Sequence, residues 1–362
     1  MLFSKTKYLS SSSLSAQAWK RFRHDKLGFG SLIFLGIVFL IALLGYLITP
    51  DPTPFANDQC LEMGLKNPGF TAEFILVPKT PAKERDGFLH RMIWGQKSLY
   101  NAYPVENGFV DMYDEEGGYN QESASSYLST HPEAKMESRT YWLGTDRFGR
   151  DILSMLVIGA RISLSVGFIS VFISLVLGIL IGSIGGYFRG WIDNVIVWFI
   201  NVVWSIPTLL LVIAITFALG KGFWQVFIAV GLTMWVEVAR VVRGQILSLR
   251  EKEFVEAGKA LGFSSFRIIT RHLLPNVMGV VIVISAANFA AAILIEAGLS
   301  FLGLGVQPPV PSWGSMIKEN YGYIVLDYAY LAIIPGIAIM LLVLAFMLIG
   351  NALRDALDVK SL

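Results

Sequence analysis

The sequence predicts an all-α integral membrane protein with six spans and one large insert after the first. Six apolar runs are each about 20 residues long, enough to cross a hydrocarbon core as helix. Only 15% of the 362 residues are charged and 54% are hydrophobic, with a mean hydropathy of +0.58. That is too little charge to cover a soluble domain of this length. Net charge is only +2, but the basic residues gather at the N-terminus and in one loop between spans.

The spans are expected at about Leu27–Ile48, Ile162–Tyr187, Asn194–Leu219, Phe223–Val242, Val277–Leu299 and Ala329–Ile349. The first run is longer than a secretory core, and "ITPDPTP" follows it in place of a small-residue cleavage site. It reads as an uncleaved anchor, residues 28–48. The second carries glycines at 178, 182, 186 and 190, a stripe that lets another helix approach closely. The third contains Pro207 in "WSIPTLLL", which removes a helix hydrogen bond and predicts a kink. Such a kink either permits rocking beside a pathway or is static.

Sidedness follows from Lys and Arg. Residues 1–27 hold six basic residues (Lys5, Lys7, Lys20, Arg21, Arg23, Lys26) against Asp25 alone. Residues 240–275 hold seven, against three glutamates. Six spans put the N-terminus, this loop and the tail 351–362 on one side. Its basic character makes that side the cytoplasm. The 49–142 insert, with eight basic and fourteen acidic residues, then lies outside. Within it "FTAEFILVPKTPA" reads as strand then turn. "DEEGGYNQESASSYLSTHPEAK" reads as exposed loop, and the serine run Ser10–Ser13 as a flexible tip.

Two acids interrupt apolar runs. Glu237 has Arg240 at i+3 and reads as a local ion pair. Glu296 has no basic residue within a turn. It lines a pathway or gate, or else it hydrogen-bonds one helix to another. Arg147, Arg150 and Asp151 shape the outer face or form local salt bridges there.

Catalysis is not signalled. There is no phosphate loop, no H-E-x-x-H and no G-x-S-x-G. Cys60 is the one cysteine, and His24, His90, His131 and His272 are scattered, so no metal site is expected. No catalytic residue, bound cofactor or nucleic-acid partner is expected.

The loop 251–276 differs from its surroundings. "EKEFVEAGKAL" suits a short helix, with Phe254, Ala257 and Leu261 on one face. Gly262 suits a left-handed helix end. Ser264 suits the N-cap of a second helix, and Pro275 a boundary before the fifth span. Such a segment either docks in a partner's groove or rests on anionic lipid.

"EAGKALGFSSFRIITRHLLPN" (256–276) resembles the EAA signature of ABC-importer permeases. "WKRFRHDKLGFGSLIFLGIV" (19–38), "YWLGTDRFGRDILSMLVIGARISLSVG" (141–167) and "FLGLGVQPPVPSWGSMI" (301–317) are similar to segments of dipeptide/oligopeptide permease C subunits. The resemblance implies a type I ABC importer permease fold, with residues 143–350 as its core and 251–276 as a coupling loop. Glu256, Ala257, Gly258, Gly262, Ile269, Leu274 and Pro275 would be its ATPase-coupling residues. Gly258 departs from the usual alanine, at about 1 kcal/mol of local helix stability, which predicts a helix frayed until docked. "GVQPPVPSWG", stiffened by Pro308, Pro309 and Pro311 and closed by Trp313, would be an outer-face loop near the substrate's mouth.

The implied partners are a second, different permease, two cytoplasmic ATPase subunits holding ATP-Mg, an outer solute-binding protein, and lipid. The implied cargo is a peptide. The length of the insert resembles the Yej-type branch, associated with longer peptides and microcin C. Import of nickel or another small solute by the same machinery is the alternative, and an ion-coupled secondary transporter a more distant one.

Overall fold

The computed structural model describes residues 14–79, 86–113, 119–220 and 222–357. Lys5, Lys7, Ser10–Ser13, the turn after "FTAEFILVPK", the acidic run 114–118 and the last five residues of the tail lie outside the described residues.

Helix α1 (Leu14–His24) is followed by α2 (Lys26–Ile48). Asp25 separates them, accepting hydrogen bonds from the backbone N–H groups of Leu27 and Gly28 at 3.0 Å. Its side chain satisfies donors that the first turn of α2 leaves free. Then comes the insert. Strands β1 (Phe70–Pro78) and β2 (Tyr100–Glu106) flank α3 (Phe88–Trp94) in sequence. β3 (Phe109–Tyr113), β4 (Tyr119–Ser123), α4 (Ala124–Thr130) and β5 (Lys135–Tyr141) complete it. The sheet is antiparallel, in the order β4-β3-β2-β1-β5.

β1 lies inside the sheet, between β2 and β5, and buries residues on both faces. Ala72, Phe74 and Leu76 pack on Met63 and Tyr141. Ile75, pointing the other way, packs on Val110, Ala124, Tyr127 and Ala134. The alternation is the period of two that a pleated strand imposes. The stretch expected as exposed loop is instead β4, α4 and the start of β5. It lacks an apolar run because β4 and β5 are edge strands, and α4 needs only Ala124 and Tyr127 to dock.

The remaining helices are α5 (Ile152–Phe188), α6 (Gly190–Trp204), α7 (Thr208–Leu219), α8 (Phe223–Leu249), α9 (Glu253–Ala260), α10 (Ser265–Ile268), α11 (Leu274–Phe301), α12 (Trp313–Asn320) and α13 (Tyr330–Leu357). Among the described residues, α2, α5, α8, the α10–α11 run and α13 are each long and apolar enough to cross a membrane. The expected third span is not one helix. α6 and α7 are bent by 92° at Ser205–Pro207, and count as a sixth crossing only as a broken pair. Proline at 207 cannot donate to the previous turn, and the chain turns there rather than kinking.

Packing fixes the directions. On α5, Ser170 Oγ donates to Phe227 O of α8, Gly178 meets Val238, and Gly186 meets Ile246. The two helices therefore run parallel, with α6–α7 as the return. A Cβ at Gly178 would lie 2.4 Å from Val238 Cβ, and one at Gly182 would lie 2.5 Å from Ala239 O. The glycine stripe lets the α5 and α8 backbones meet. Gly190 lies beyond α5, with nothing near its side-chain position, and takes no part. On the other side, Gly28 of α2 meets Ala352 of α13, and Gly279 of α11 faces Leu357. Phe22 packs on Ile349, Ala352 and Ala356. Residue 22, the 251–273 loop and residue 357 thus share one end of the bundle, and the insert caps the other.

Candidate functional site

At the end away from the insert, α9 and the turns after it form a tip welded to the spans. Val255, Ile268 and Leu273 are buried with Val242 and Ile246 of α8, Val277 and Val281 of α11, and Tyr187 of α5. Arg189, at the α5–α6 corner, pairs with Glu251 at 2.5 Å. The end of α9 is a Schellman motif. Phe263 N donates to Gly258 O at 3.0 Å and Gly262 N to Lys259 O at 2.9 Å. Gly262 takes φ +77°, where a Cβ would be strained. Ser264 then caps α10 through Arg267 N.

The candidate coupling residues divide by position. Glu256, Ala257, Gly262 and Pro275 are exposed, Ile269 and Leu274 are half-buried, and Gly258 is buried against Phe263. Phe254, Leu261 and Phe266 are also exposed, the last at 77%. The face formed by Phe254, Ala257 and Leu261 is therefore turned outward, and Val255 and Gly258 hold the inner face. Pro275 does not end a helix. A π-turn over Ile269–Leu273, with Leu274 N bonded to Ile269 O, feeds directly into α11. The wider turn accommodates the donor that proline lacks.

The second feature is the elbow at Pro207. Asp193, near the start of α6, pairs with Arg243 at 2.5 and 2.7 Å. Trp204, at its end, lies under the Arg240 guanidinium, 3.9 Å away. Arg240 and Arg243 are one turn apart on α8, while Asp193 and Trp204 are separated by about 16 Å of helix. Between these two contacts Phe199 stacks on Trp235 and Ile200 packs on Trp235, Val236 and Ala239, so α6 lies against α8, and α7 bends away from it by 92°. The elbow leaves a cavity of about 170 Å³ between α6–α7, α8 and α11. Thr208, Leu211, Thr233, Met234 and Glu237 line it, with Ala291 and Ile295 of α11 behind.

Glu237 is exposed, and no ion pair joins it to Arg240, whose charge is spent on Trp204. Glu296 does not open on this cavity. It is fully buried, its Oε1 accepting from Ser300 Oγ at 2.7 Å, and it is not part of the cavity wall that Ala291 and Ile295 form. This hydrogen bond stays within α11 and does not join one helix to another, and Oε2 has no partner among the described residues. Pro207 stands at the elbow and is exposed.

At the insert end, Pro308 and Pro309 are exposed and Pro311 is buried. Trp313 is buried, and its Nε1 donates to Leu156 O at 2.9 Å, tying α12 to α5. Arg150 joins Asp146 and Glu319, both at 2.6 Å, and holds the segment between the insert and α5 to α12. Arg147 lies over Phe148. Asp151 caps α5 through Ser154, and burial raises its carboxyl above the ordinary range.

Comparison with known proteins settles the family. The family model for the binding-protein-dependent transport system inner membrane component matches residues 153–360. The chain belongs to that family. A second model, the N-terminal TM domain of oligopeptide transport permease C, matches residues 13–68. The chain is 42% identical over 240 residues to the dipeptide transport system permease protein DppC of Alkalihalophilus pseudofirmus, covering 66% of this chain and 79% of that one. It is 40% identical over 223 residues to the glutathione transport system permease protein GsiD of Pectobacterium atrosepticum, covering 62% and 74%. A solved chain of the MetNI methionine ABC transporter aligns with a TM-score of 0.48 at 19% identity, over 57% of this chain and 98% of that one.

This permease is thus a multi-pass inner-membrane transport component, of a family that is not catalytic. Its sequence signalled the tip but not the free carboxylate of Glu237. The one available signal, an acid within an apolar run, was masked by Arg240 three residues on.

Proposed function

We propose that this chain is one of two different permease subunits of a peptide importer. The end bearing α1, α9–α10 and residue 357 faces the cytoplasm, and the insert faces outward. Two ATPase subunits holding ATP-Mg sit below. One of them takes the tip through Phe254, Glu256, Ala257, Leu261 and Phe266. A solute-binding protein delivers peptide on the insert side. The names of the dipeptide and glutathione permeases support the cargo class.

One observation carries the coupling reading. The tip is apolar outward, at Phe254, Leu261 and Phe266, and is fused inward through Val255, Ile268 and Leu273 to α8 and α11. A groove that grips the outer face moves the inner one, because a packed core transmits displacement rather than absorbing it. α8 and α11 are also the helices that border the elbow cavity. Closing of the ATPase pair would reach the cavity through two rigid helices, and this chain would do no covalent chemistry.

The experiment is Glu256→Lys in the intact importer. Glu256 is exposed, so membrane insertion and thermal stability should be unchanged. Co-purification of the ATPase subunits and peptide uptake should fall together. Normal association and uptake in the variant would refute the assignment of this face.

A further inference from the structure

Glu237 lies within the apolar length of α8, fourteen residues after Phe223, and is exposed. It makes no hydrogen bond or ion pair among the described residues. A bare carboxylate at this depth is expensive against hydrocarbon, so it normally faces water, a cavity or a partner. Here it borders the elbow cavity, whose volume of about 170 Å³ is on the order of one that takes up a benzene-sized molecule. That is room for one end of a peptide, not for a whole one.

We propose that the elbow cavity is a transit site for the positively charged amino terminus of the peptide, with Glu237 as its counter-ion. The inference rests on the peptide-importer reading. The wall chemistry suits an ammonium group. Among the described residues Glu237 supplies the only carboxylate of the lining, and Thr208 and Thr233 bring hydroxyl groups. Arg240, the nearest competitor for Glu237, is held over the Trp204 ring and leaves the carboxylate unpaired. A metal cation is a poorer match, since it needs several oxygen ligands and this cavity offers one carboxylate. Thr233, Met234 and Glu237 stand on α8, so movement of that helix reshapes the site. The same helix, through Ile246, packs against the tip. Binding of the ammonium group and its release are thereby tied to the stroke.

The test uses the importer with its own partner subunits in proteoliposomes, its binding protein outside, and radiolabelled trialanine as the probe. Glu237→Gln should lower the maximal ATP-driven uptake rate by about tenfold, the loss of one charge-assisted contact. Glu237→Asp, which keeps the charge, should recover most of it. The half-saturating peptide concentration, set by the binding protein, should stay put. Subunit composition and peptide-independent ATP hydrolysis should match the unsubstituted complex. Uptake by Glu237→Gln within roughly twofold of the unsubstituted rate would overturn the site alone. So would loss of the second permease from the Gln complex, which would assign Glu237 to the subunit interface. No trialanine uptake by the unsubstituted complex would overturn the peptide reading, and the site with it.

Discussion

Gly258→Ala should stabilise the tip, and the structure sets how much. Gly258 lies inside α9, and its φ is not positive, so alanine fits the backbone. A Cβ there would sit 3.5 Å from Phe263 Cδ2 and 3.8 Å from Ile268 Cγ1, both ordinary contacts. No neighbour has to move. Glycine in a helix interior costs about 1 kcal/mol relative to alanine, and that is the expected gain. Because 1.36 kcal/mol is a factor of ten, amide exchange limited by local opening should slow by about fivefold. The assay is hydrogen exchange of the chain in lipid nanodiscs, read on peptides covering 253–263. The amides of Gly262 and Phe263, which close onto Lys259 and Gly258, report the opening most directly. Exchange that is unchanged would show that the Schellman closure and the buried Val255 already hold α9. Faster exchange would show that the space beside Phe263 is not available. Either result would refute the view that Gly258 leaves this helix frayed before docking.

Two further predictions concern the insert. Gly149 has φ +72°, and its Cβ would fall on the Cys60 carbonyl, 1.8 Å from the oxygen. Gly149→Ala should destabilise the insert by at least about 2 kcal/mol, visible as protease cleavage within 49–151 under conditions where the parent chain resists. The Cys60 thiol is pushed up to about 12, first by burial and then by the hydrogen bond and charge of Glu62. The thiolate is the reactive form, so iodoacetamide should label Cys60 far more slowly than glutathione at pH 8, with a rate that keeps climbing tenfold per pH unit. A plateau near the ordinary thiol range would contradict the buried placement.

What could be read from the chain alone depended on whether the deciding neighbour was close in sequence. Gly262 and Ser264 were legible because a helix end and an N-cap are local events. So was the α5 glycine stripe, because its period belongs to one helix. The insert was less legible. β5 exposes most of Lys135–Tyr141, and its partner β1 lies across the whole insert, so no apolar pattern marks it as a strand.

The two acids show the same limit from opposite sides. Glu296 looked alone because no base lies within a turn, yet Ser300, one turn on, was its partner all along. Glu237 looked paired because Arg240 lies one turn on, yet Trp204 takes that guanidinium. An exposed ion pair in a helix is worth only about 0.3–0.5 kcal/mol. A cation held over an indole is worth about 0.5–2 kcal/mol, the larger value when water is excluded. The aromatic competitor therefore wins wherever the fold delivers it, and here the packing of α6 on α8 delivers it. The proline that reads as a kink follows three residues after Trp204: it turns α7 away from α6 by 92°, and the cavity beside Glu237 lies in that elbow.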